Sequence, residues 1–275
     1  MKAIAQTSYG PPDALQYLET AKPSPKDNEV LVRVHASSVN AMDWRLFTFP
    51  RFIRRLMGLG LRRPKYSSCG ADVAGQVEAV GPAVTQFQPG DDVFGVLRGA
   101  YAEYACGPES KLVLKPAGVS FEAAAAVPVA GLTALQALRA ARVQPGQTVL
   151  INGAGGGVGT FAVQIAKAFG AEVTAVCSTR NQEVVRAIGA GHVIDYTRQD
   201  FTKSGRRYDV IIAANGYHSI FAYKRALNPN GIYVVLGGAM LQLLQQVVLG
   251  PTLYDLTRVG SAASWPTLIR RICCR

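Results

Sequence analysis

A glycine-rich run in the second half of the chain limits the fold more than any other feature. Thr148-Val-Leu-Ile151 has the apolar character of a strand, Gly153-Ala-Gly-Gly-Gly-Val-Gly159 follows it, and Gly159 to Phe169 has helical periodicity. Further strand patterns alternate with helical segments, at 172–177, 192–196, 208–213 and 231–236. Strands that are almost wholly apolar and alternate with helices are typical of a parallel sheet covered on both faces. The second half is therefore predicted to be a doubly wound α/β domain.

The first half, up to about residue 125, has a different texture. Short strand-like runs at 29–35, 73–80 and 111–115 are separated by Pro- and Gly-containing turns. This pattern predicts a partly open β-barrel. The Ala- and Leu-rich stretch from Ala123 to Ala141 is expected to be helical, with interruptions at Pro128 and Gly131. We divide the chain into residues 1–125, residues 126–260 and an atypical tail, 261–275.

Charge and composition exclude several classes of protein. Only 17% of the 275 residues are charged, which argues against intrinsic disorder. The net charge of +11 is concentrated at Arg51–Arg63 and in the tail, without a motif that reads nucleic acid. A basic protein that handles anionic ligands is favoured, with Arg51–Arg63 as a loop over the substrate cleft, and a basic amphipathic surface for membrane or RNA is the alternative. No signal peptide or apolar stretch of about 18 residues is present, so a cytoplasmic protein is expected.

The glycine run has the spacing of a dinucleotide-binding loop, Ala154-x-Gly156-x-x-Gly159. Small residues at these positions permit a tight turn, a close approach to a pyrophosphate, and packing of the helix on the strand. The amides at the helix N-terminus would bind the phosphates.

The residues after the second strand of this domain, Cys177-Ser-Thr-Arg180, bear on the choice of cofactor. NAD sites usually have an acidic residue there, which binds the ribose hydroxyls. Ser178, Thr179 and Arg180 instead offer two hydroxyls and a guanidinium to a 2′-phosphate. NADPH is therefore expected rather than NADH. Alternatively, Ser178 and Thr179 cap the next helix, and the two roles are compatible.

Several motifs in order resemble the zinc-independent quinone oxidoreductases, the zeta-crystallin-like group of the medium-chain dehydrogenase/reductase superfamily. The resemblance covers about residues 1 to 250 and is carried by Ser38–Asp43, Gly70–Gly81, Gln88–Gly95, Ala130–Ala134 and Gly146–Lys167. It implies a GroES-like barrel followed by a Rossmann domain. Zinc-dependent relatives have a Gly-His-Glu element and a four-cysteine lobe. This chain has Gly70-Ala71-Asp72, and its Cys69, His35, His192 and His218 form no ligand cluster in sequence, so no zinc is expected.

The resemblance also implies roles for individual residues. Asn40 and Thr133 match positions near the nicotinamide, and they are the candidate catalytic residues as well as cofactor contacts. The other implied cofactor contacts are Ala154, Gly156, Gly157, Val158, Gly159, Ser178, Thr179, Arg180, Tyr196, Asn215 and Gly216. Alternatives stay open for three of them: Asn40 as a turn residue, Thr133 as an ordinary helix residue and Tyr196 as a core aromatic.

The expected reaction is hydride transfer from NADPH to a quinone or an α,β-unsaturated carbonyl. Asn40, with Thr133 second, would donate a hydrogen bond to the oxygen on which charge develops, and Asp43 is a candidate to orient Asn40 or Arg45. No general acid is assigned. The alternatives are a non-catalytic NADPH-binding protein and a truncated, inactive homologue, because relatives continue with a C-terminal segment that this chain lacks. The resemblance implies a homodimer, and no nucleic-acid partner is expected.

Overall fold

A computed structural model describes residues 1–10, 12–43 and 68–238, which fold as two compact units divided between Val129 and Ala130. The basic segment Arg51–Arg63, Arg45 and the tail 261–275 lie outside the described residues. None of the helices in the described ranges is long and apolar enough to cross a membrane.

The first unit is built on an antiparallel sheet of five strands in the order β6-β3-β4-β5-β7. Its strands are β3 (Glu29–Ala36), β4 (Asp72–Val80), β5 (Asp92–Val96), β6 (Tyr104–Pro108) and β7 (Leu112–Leu114). A separate hairpin of β1 (Lys2–Gln6) and β2 (Leu15–Glu19) joins this unit through single bridges, Ala3 to Ala102 and Ala5 to Ser68. Alternating apolar residues of the strands, such as Val30 and Val32, form the core. The predicted GroES-like, barrel-type unit is confirmed.

Two helices follow the barrel: α1 (Phe121–Ala125) and α2 (Pro128–Ala140). The expected interruption at Pro128 is confirmed, because α2 begins there. Proline is tolerated at the first position of a helix because an N–H there would have no intrahelical acceptor. The expected interruption at Gly131 is wrong. A glycine inside a helix costs about 1 kcal/mol relative to alanine. Burial of the neighbouring Ala134, Ala137 and Leu138 offsets that cost.

The second unit contains a parallel sheet of five strands in the order β10-β9-β8-β11-β12. The strands are β8 (Thr148–Asn152), β9 (Glu172–Cys177), β10 (His192–Asp195), β11 (Tyr208–Ala213) and β12 (Leu227–Val235). The helices are α3 (Gly157–Ala168), α4 (Gln182–Ala187) and α5 (Ile220–Arg225). Val149 and Ile151 enter one core cluster and Leu150 the other, so both faces of the sheet are covered. The predicted doubly wound fold is confirmed.

The strand order determines where this unit can bind a ligand. β8 lies between β9 and β11, so the chain leaves β8 toward one side of the sheet and later returns to the other. Ligands of open α/β sheets bind at the carboxyl ends of the strands beside such a reversal. The glycine run lies there, between the end of β8 and the start of α3.

Candidate active site

The turn after β8 requires glycine at its first position. Gly153 has a φ of +91°, which side chains rarely allow, and a Cβ there would lie 2.8 Å from the Cβ of Asn215. The backbone N–H of Asn215 donates to the Asn152 carbonyl at 3.1 Å. Asn215, which follows β11 and is exposed, therefore lies beside the glycine loop, and its contact with the cofactor stays a prediction. Gly216 is different, because it is buried and its N–H donates to the Gly237 carbonyl at 2.9 Å.

Gly156 and Gly157 leave open space at the start of α3. Both are exposed, and a Cβ on either would meet nothing closer than 3.5 Å. The first amides of this 12-residue helix have no intrahelical acceptor. Gly156 is the N-cap residue, and it supplies no side-chain acceptor to them either. An open concavity lined by such amides fits a phosphate group.

Ala154 and Gly159 have a different role, which is packing behind the loop. Both are buried, and a Cβ on Gly159 would lie 2.7 Å from the Ala154 Cα and closer still to the Gly153 carbonyl oxygen. Val158 is half-buried against the core of the unit. These residues let α3 lie directly on the end of β8, while Gly156 and Gly157 form the open surface.

Asn181, which the sequence analysis did not select, lies against the same loop. A Cβ on Gly155 would overlap the side-chain amide of Asn181. Asn181 follows Ser178, Thr179 and Arg180, so the segment after β9 borders the glycine loop through this contact.

An acid is present beside the expected 2′-phosphate residues, on the neighbouring strand β10. Asp195 Oδ2 accepts from Thr179 Oγ1 at 2.5 Å and from Gln182 Nε2 at 3.1 Å, and its Oδ1 accepts from Thr197 N and Oγ1. The hydrogen bonds from Thr179 and then Thr197 lower the pKa of Asp195 to about 2. The segment after β9 itself contains no acid, but the neighbouring strand β10 supplies one. The Thr179 hydroxyl is committed to Asp195, which removes it as a free donor to a phosphate.

The other residues around this segment are exposed to different degrees. Ser178 makes no side-chain capping hydrogen bond, so the helix-capping alternative is wrong for that residue. Arg180 is exposed and forms no ion pair with an acid among the residues described. Tyr196 is 62% exposed, which excludes the alternative of a core aromatic. Ser178, Arg180 and Tyr196 are therefore accessible to a ligand.

Helix α2 also borders the glycine loop. A Cβ on Gly157 would lie 3.7 Å from the Ala130 Cβ. Thr133 is three residues after Ala130, and residues at that spacing share one face of a helix. Thr133 therefore lies one turn away from the contact with the loop.

In the first unit, Asn40 belongs to a hydrogen-bonded network around a buried carboxylate. Its Nδ2 donates to Asp72 Oδ2 at 2.8 Å and to Ser38 Oγ at 3.2 Å. Ser38 Oγ donates to the same Asp72 oxygen at 2.5 Å, and the Val129 backbone N–H donates to Asp72 Oδ1 at 2.9 Å. Asp72 has no exposed surface, and this burial raises the pKa of its carboxyl. Asn40 is also a turn residue after β3, since the Asp43 backbone N–H donates to its carbonyl at 3.0 Å, and its side chain belongs to this network in addition.

A second carboxylate holds the backbone of the same loop. Asp43 Oδ2 accepts from the Asn40 backbone N–H at 2.7 Å and from Tyr101 OH at 2.8 Å. Burial, together with this hydrogen bond to Asp43, raises the pKa of Tyr101. The expectation that Asp43 orients Asn40 agrees with these contacts. Among the described residues, no group of three His, Cys, Asp or Glu is arranged to hold a metal ion.

The comparisons with known proteins agree with this architecture. A model described as "Alcohol dehydrogenase GroES-like domain" matches residues 26–117, and one described as "Zinc-binding dehydrogenase" matches residues 157–272. The second match extends past residue 250, where the resemblance was expected to end.

Relatives and solved structures give the same family. A chloroplastic quinone-oxidoreductase homologue of Spinacia oleracea is 38% identical over 77% of this chain and 67% of its own length. A quinone oxidoreductase structure from Coxiella burnetii superposes with a TM-score of 0.82 at 30% identity, covering 98% of this chain and 88% of that one. The Escherichia coli quinone oxidoreductase complexed with NADPH has a TM-score of 0.76 at 27% identity, covering 90% and 78%. The chain therefore belongs to the quinone oxidoreductase group of the medium-chain dehydrogenase/reductase superfamily, a group of NAD(P)H-dependent oxidoreductases.

Proposed function

We propose that this chain is an NADPH-dependent reductase that transfers a hydride to a quinone or an α,β-unsaturated carbonyl without zinc. The open, uncapped start of α3 at Gly156 and Gly157 carries this proposal, because it lies where the strand order reverses. The Escherichia coli relative whose structure contains NADPH supports the choice of a nicotinamide cofactor. A quinone is itself an α,β-unsaturated carbonyl compound, so the two acceptor classes share one chemistry.

The residues of the second unit would bind the cofactor in two places. Bound NADPH supplies the hydride. The amides that begin α3 would bind its pyrophosphate. Arg180 and Ser178 would bind the 2′-phosphate, since a guanidinium offers a fork of donors to phosphate oxygens. The Asp195 charge is directed toward Thr179, Gln182 and Thr197, so it does not compete for Arg180 in an ion pair.

The donor to the acceptor oxygen is reassigned. The nitrogen of the Asn40 side chain is held within its own network, by Asp72 Oδ2 and Ser38 Oγ. Thr133 is therefore proposed as the group that hydrogen-bonds the oxygen on which negative charge develops. The proton that completes the reduction would come from water.

The absence of zinc is proposed from the chemistry of the residues at the corresponding position. Asp72 is fully buried and accepts three hydrogen bonds from Ser38, Asn40 and Val129. Burial raises the pKa of the Cys69 thiol to about 11, whereas zinc binds a thiolate. We expect purified protein to contain less than stoichiometric zinc by elemental analysis, and its activity to survive chelation. Loss of activity on chelation, restored by zinc, would contradict this part.

The cofactor assignment is tested by the Arg180→Gln variant. A charge-assisted hydrogen bond contributes about 1.5–3 kcal/mol, so NADPH affinity should fall roughly tenfold to a hundredfold while NADH affinity is unchanged. Arg206→Gln is the matched control, since Arg206 is exposed and precedes β11, at the amino ends of the strands, whereas Arg180 follows the carboxyl end of β9. Both dissociation constants are measured by nucleotide fluorescence. Equal losses for NADPH and NADH would contradict a 2′-phosphate role for Arg180.

Turnover is then measured with a panel of quinones and enones. Oxidation of NADPH on addition of an acceptor supports the reductase. Tight NADPH binding without turnover of any acceptor contradicts it and favours a nucleotide-binding protein without catalysis. The cytoplasmic location and the homodimer stay predictions, and light scattering after size exclusion measures the second.

A further inference from the structure

We propose that Asp72 is a positioning residue that holds the Asn40 side chain with its carbonyl oxygen outward, so that Asn40 accepts a hydrogen bond from the bound ligand. The inference rests on the proposed function in one respect, because it takes the ligand to be the nicotinamide cofactor or its substrate. It assigns to Asn40 the opposite polarity to the donor role that the resemblance implied.

The first argument is the set of donors around Asp72. An ionised carboxylate only accepts hydrogen bonds, and Asp72 accepts from three different kinds of donor. The hydroxyl of Ser38 and the amide of Asn40 contact Oδ2 at 2.5 and 2.8 Å, and the Val129 backbone N–H contacts Oδ1 at 2.9 Å. Only the nitrogen end of the Asn40 amide can face this carboxylate, so the charge of Asp72 fixes the orientation of the amide.

The second argument is a count of hydrogen-bonding groups on Asn40. A side-chain amide has two N–H donors and one oxygen acceptor. Nδ2 lies 2.8 Å from Asp72 Oδ2 and 3.2 Å from Ser38 Oγ, and these two oxygens are themselves 2.5 Å apart, so the nitrogen end is held on one side by the pair. Oδ1 has no hydrogen-bond partner in the described ranges. The unpartnered heavy atom that Asn40 offers to a ligand is therefore its oxygen, an acceptor.

The third argument is that the backbone of the loop is held as well as the side chain. Asp43 accepts from the Asn40 backbone N–H at 2.7 Å, and Tyr101 OH joins Asp43 to the Ser38 carbonyl at 2.8 and 3.2 Å. A group held this way loses little conformational freedom when a ligand binds. Asn40 is thus a preorganised acceptor.

The polarity limits what Asn40 can recognise. An outward oxygen accepts from the carboxamide N–H of a nicotinamide or from a ribose or substrate hydroxyl. It repels a quinone oxygen and the negative charge that develops there. Asn40 therefore orients a donor group of the ligand, and it does not stabilise the developing oxyanion.

The Asp72→Asn variant tests the orientation directly. In this variant the Val129 N–H still donates to the oxygen of the new side-chain amide at position 72. The nitrogen of that amide therefore faces Asn40. Asn40 must then turn its own oxygen inward and its nitrogen outward. We expect kcat/KM with NADPH and a quinone to fall roughly tenfold to a hundredfold, because the donor group of the ligand then faces the Asn40 nitrogen and loses its acceptor. The double variant Asp72→Asn/Asn40→Asp exchanges the two groups, makes position 40 an acceptor again, and should recover most of that loss.

A matched control separates this effect from lost stability. Asp209 accepts from the Thr148 backbone N–H, the Thr148 hydroxyl and the Asn228 amide, the same three kinds of donor as Asp72. It lies at the start of β11, away from the carboxyl ends of the strands. Asp209→Asn should lower the free energy of unfolding with kcat/KM unchanged. A kcat/KM in Asp72→Asn equal to that of the control would overturn the proposal.

A spectroscopic readout does not depend on activity. In protein labelled with ¹⁵N-asparagine, the Asn40 side-chain signals are assigned by their disappearance in Asn40→Asp. Donation to a carboxylate predicts slow exchange of these protons in the wild type and a shift with faster exchange in Asp72→Asn. If no acceptor is reduced but these signals behave as stated, the proposed function fails and the orientation of Asn40 stands. Unchanged signals in Asp72→Asn would refute the orientation, whatever the activity.

Discussion

Gly159 and Gly156 lie three residues apart, and alanine at each should have opposite consequences. A Cβ on Gly159 would lie 2.7 Å from the Ala154 Cα, closer than a real Cβ approaches another atom, and closer still to the Gly153 carbonyl oxygen. A Cβ on Gly156 would meet only that same carbonyl oxygen, at 3.5 Å. The first substitution therefore affects folding, and the second affects the space proposed for the pyrophosphate.

The expected magnitudes follow from these distances. Gly159 is buried, and the overlapping atoms are backbone at the end of a central strand, so α3 must move away from β8. Overpacking of this kind costs about 1–3 kcal/mol, a large part of the roughly 5–15 kcal/mol that stabilises a typical domain. Gly156→Ala has no overlap to relieve and a φ of −91°, so it should lose only the preference of the N-cap position for glycine over alanine, about 0.5–1 kcal/mol.

Two measurements separate the effects. Urea unfolding followed by circular dichroism gives the free energy of unfolding, and fluorescence titration gives the NADPH dissociation constant. Gly159→Ala should unfold at lower urea than Gly156→Ala, whereas Gly156→Ala should bind NADPH roughly tenfold or more weakly than the wild type. Wild-type stability of Gly159→Ala would refute the packing argument. Wild-type affinity of Gly156→Ala would refute the position of the pyrophosphate.

Two further variants test contacts on and beside the parallel sheet. The pKa of Asp195 is about 2 in the folded chain, below its ordinary value of 3.8, so its contribution to stability is present above pH 4 and is lost as the pH falls through 2. In urea unfolding, Asp195→Asn should therefore show a weaker decline in the free energy of unfolding between pH 4 and pH 2 than the wild type. The same decline with pH in both proteins would count against the hydrogen bonds from Thr179 and Thr197. Tyr223→Phe removes the buried acceptor of the Asn152 amide, 2.7 Å away, and should cost about 1–3 kcal/mol in urea unfolding, with a loss below 0.5 kcal/mol contradicting that bond.

The parallel sheet could be predicted from sequence because its strands are buried on both faces. β9 and β11 were predicted with the bounds that the structure gives, 172–177 and 208–213. Most of their residues are apolar, the exceptions being Glu172, Thr174 and Asp209, and glycine or polar residues lie near the ends. The end of β8 and the start of the glycine loop were predictable to within one residue. The positive φ of Gly153 and the close packing of Gly159 allow few residues other than glycine at these positions.

The barrel was harder to predict in detail because its strands are exposed on one side. β2 reads Leu-Gln-Tyr-Leu-Glu and has three exposed residues, so its apolar pattern is weak. β5 and β6 each contain a glycine, which lowers strand propensity but is required where Gly95 approaches the Lys111 carbonyl oxygen. These strands are specified by their partners across the sheet more than by their own residues.

The acids that matter most to the site were missed for a reason that applies to both. Asp195 ends β10, whereas the acid of an NAD site is expected after β9. Parallel pairing sets Asp195 opposite Cys177, the last residue of β9, which brings its carboxylate to Thr179. Asp72 was seen only as a residue without the zinc ligands of relatives, although a charge that begins an apolar strand requires buried donors. Two of its three donors come from the loop after β3, the strand that pairs with β4, and the third is the Val129 backbone N–H. In both cases the chemistry is set by the neighbouring strand, so a search that includes the residues following each paired strand would have found Thr179 for Asp195, and Ser38 and Asn40 for Asp72.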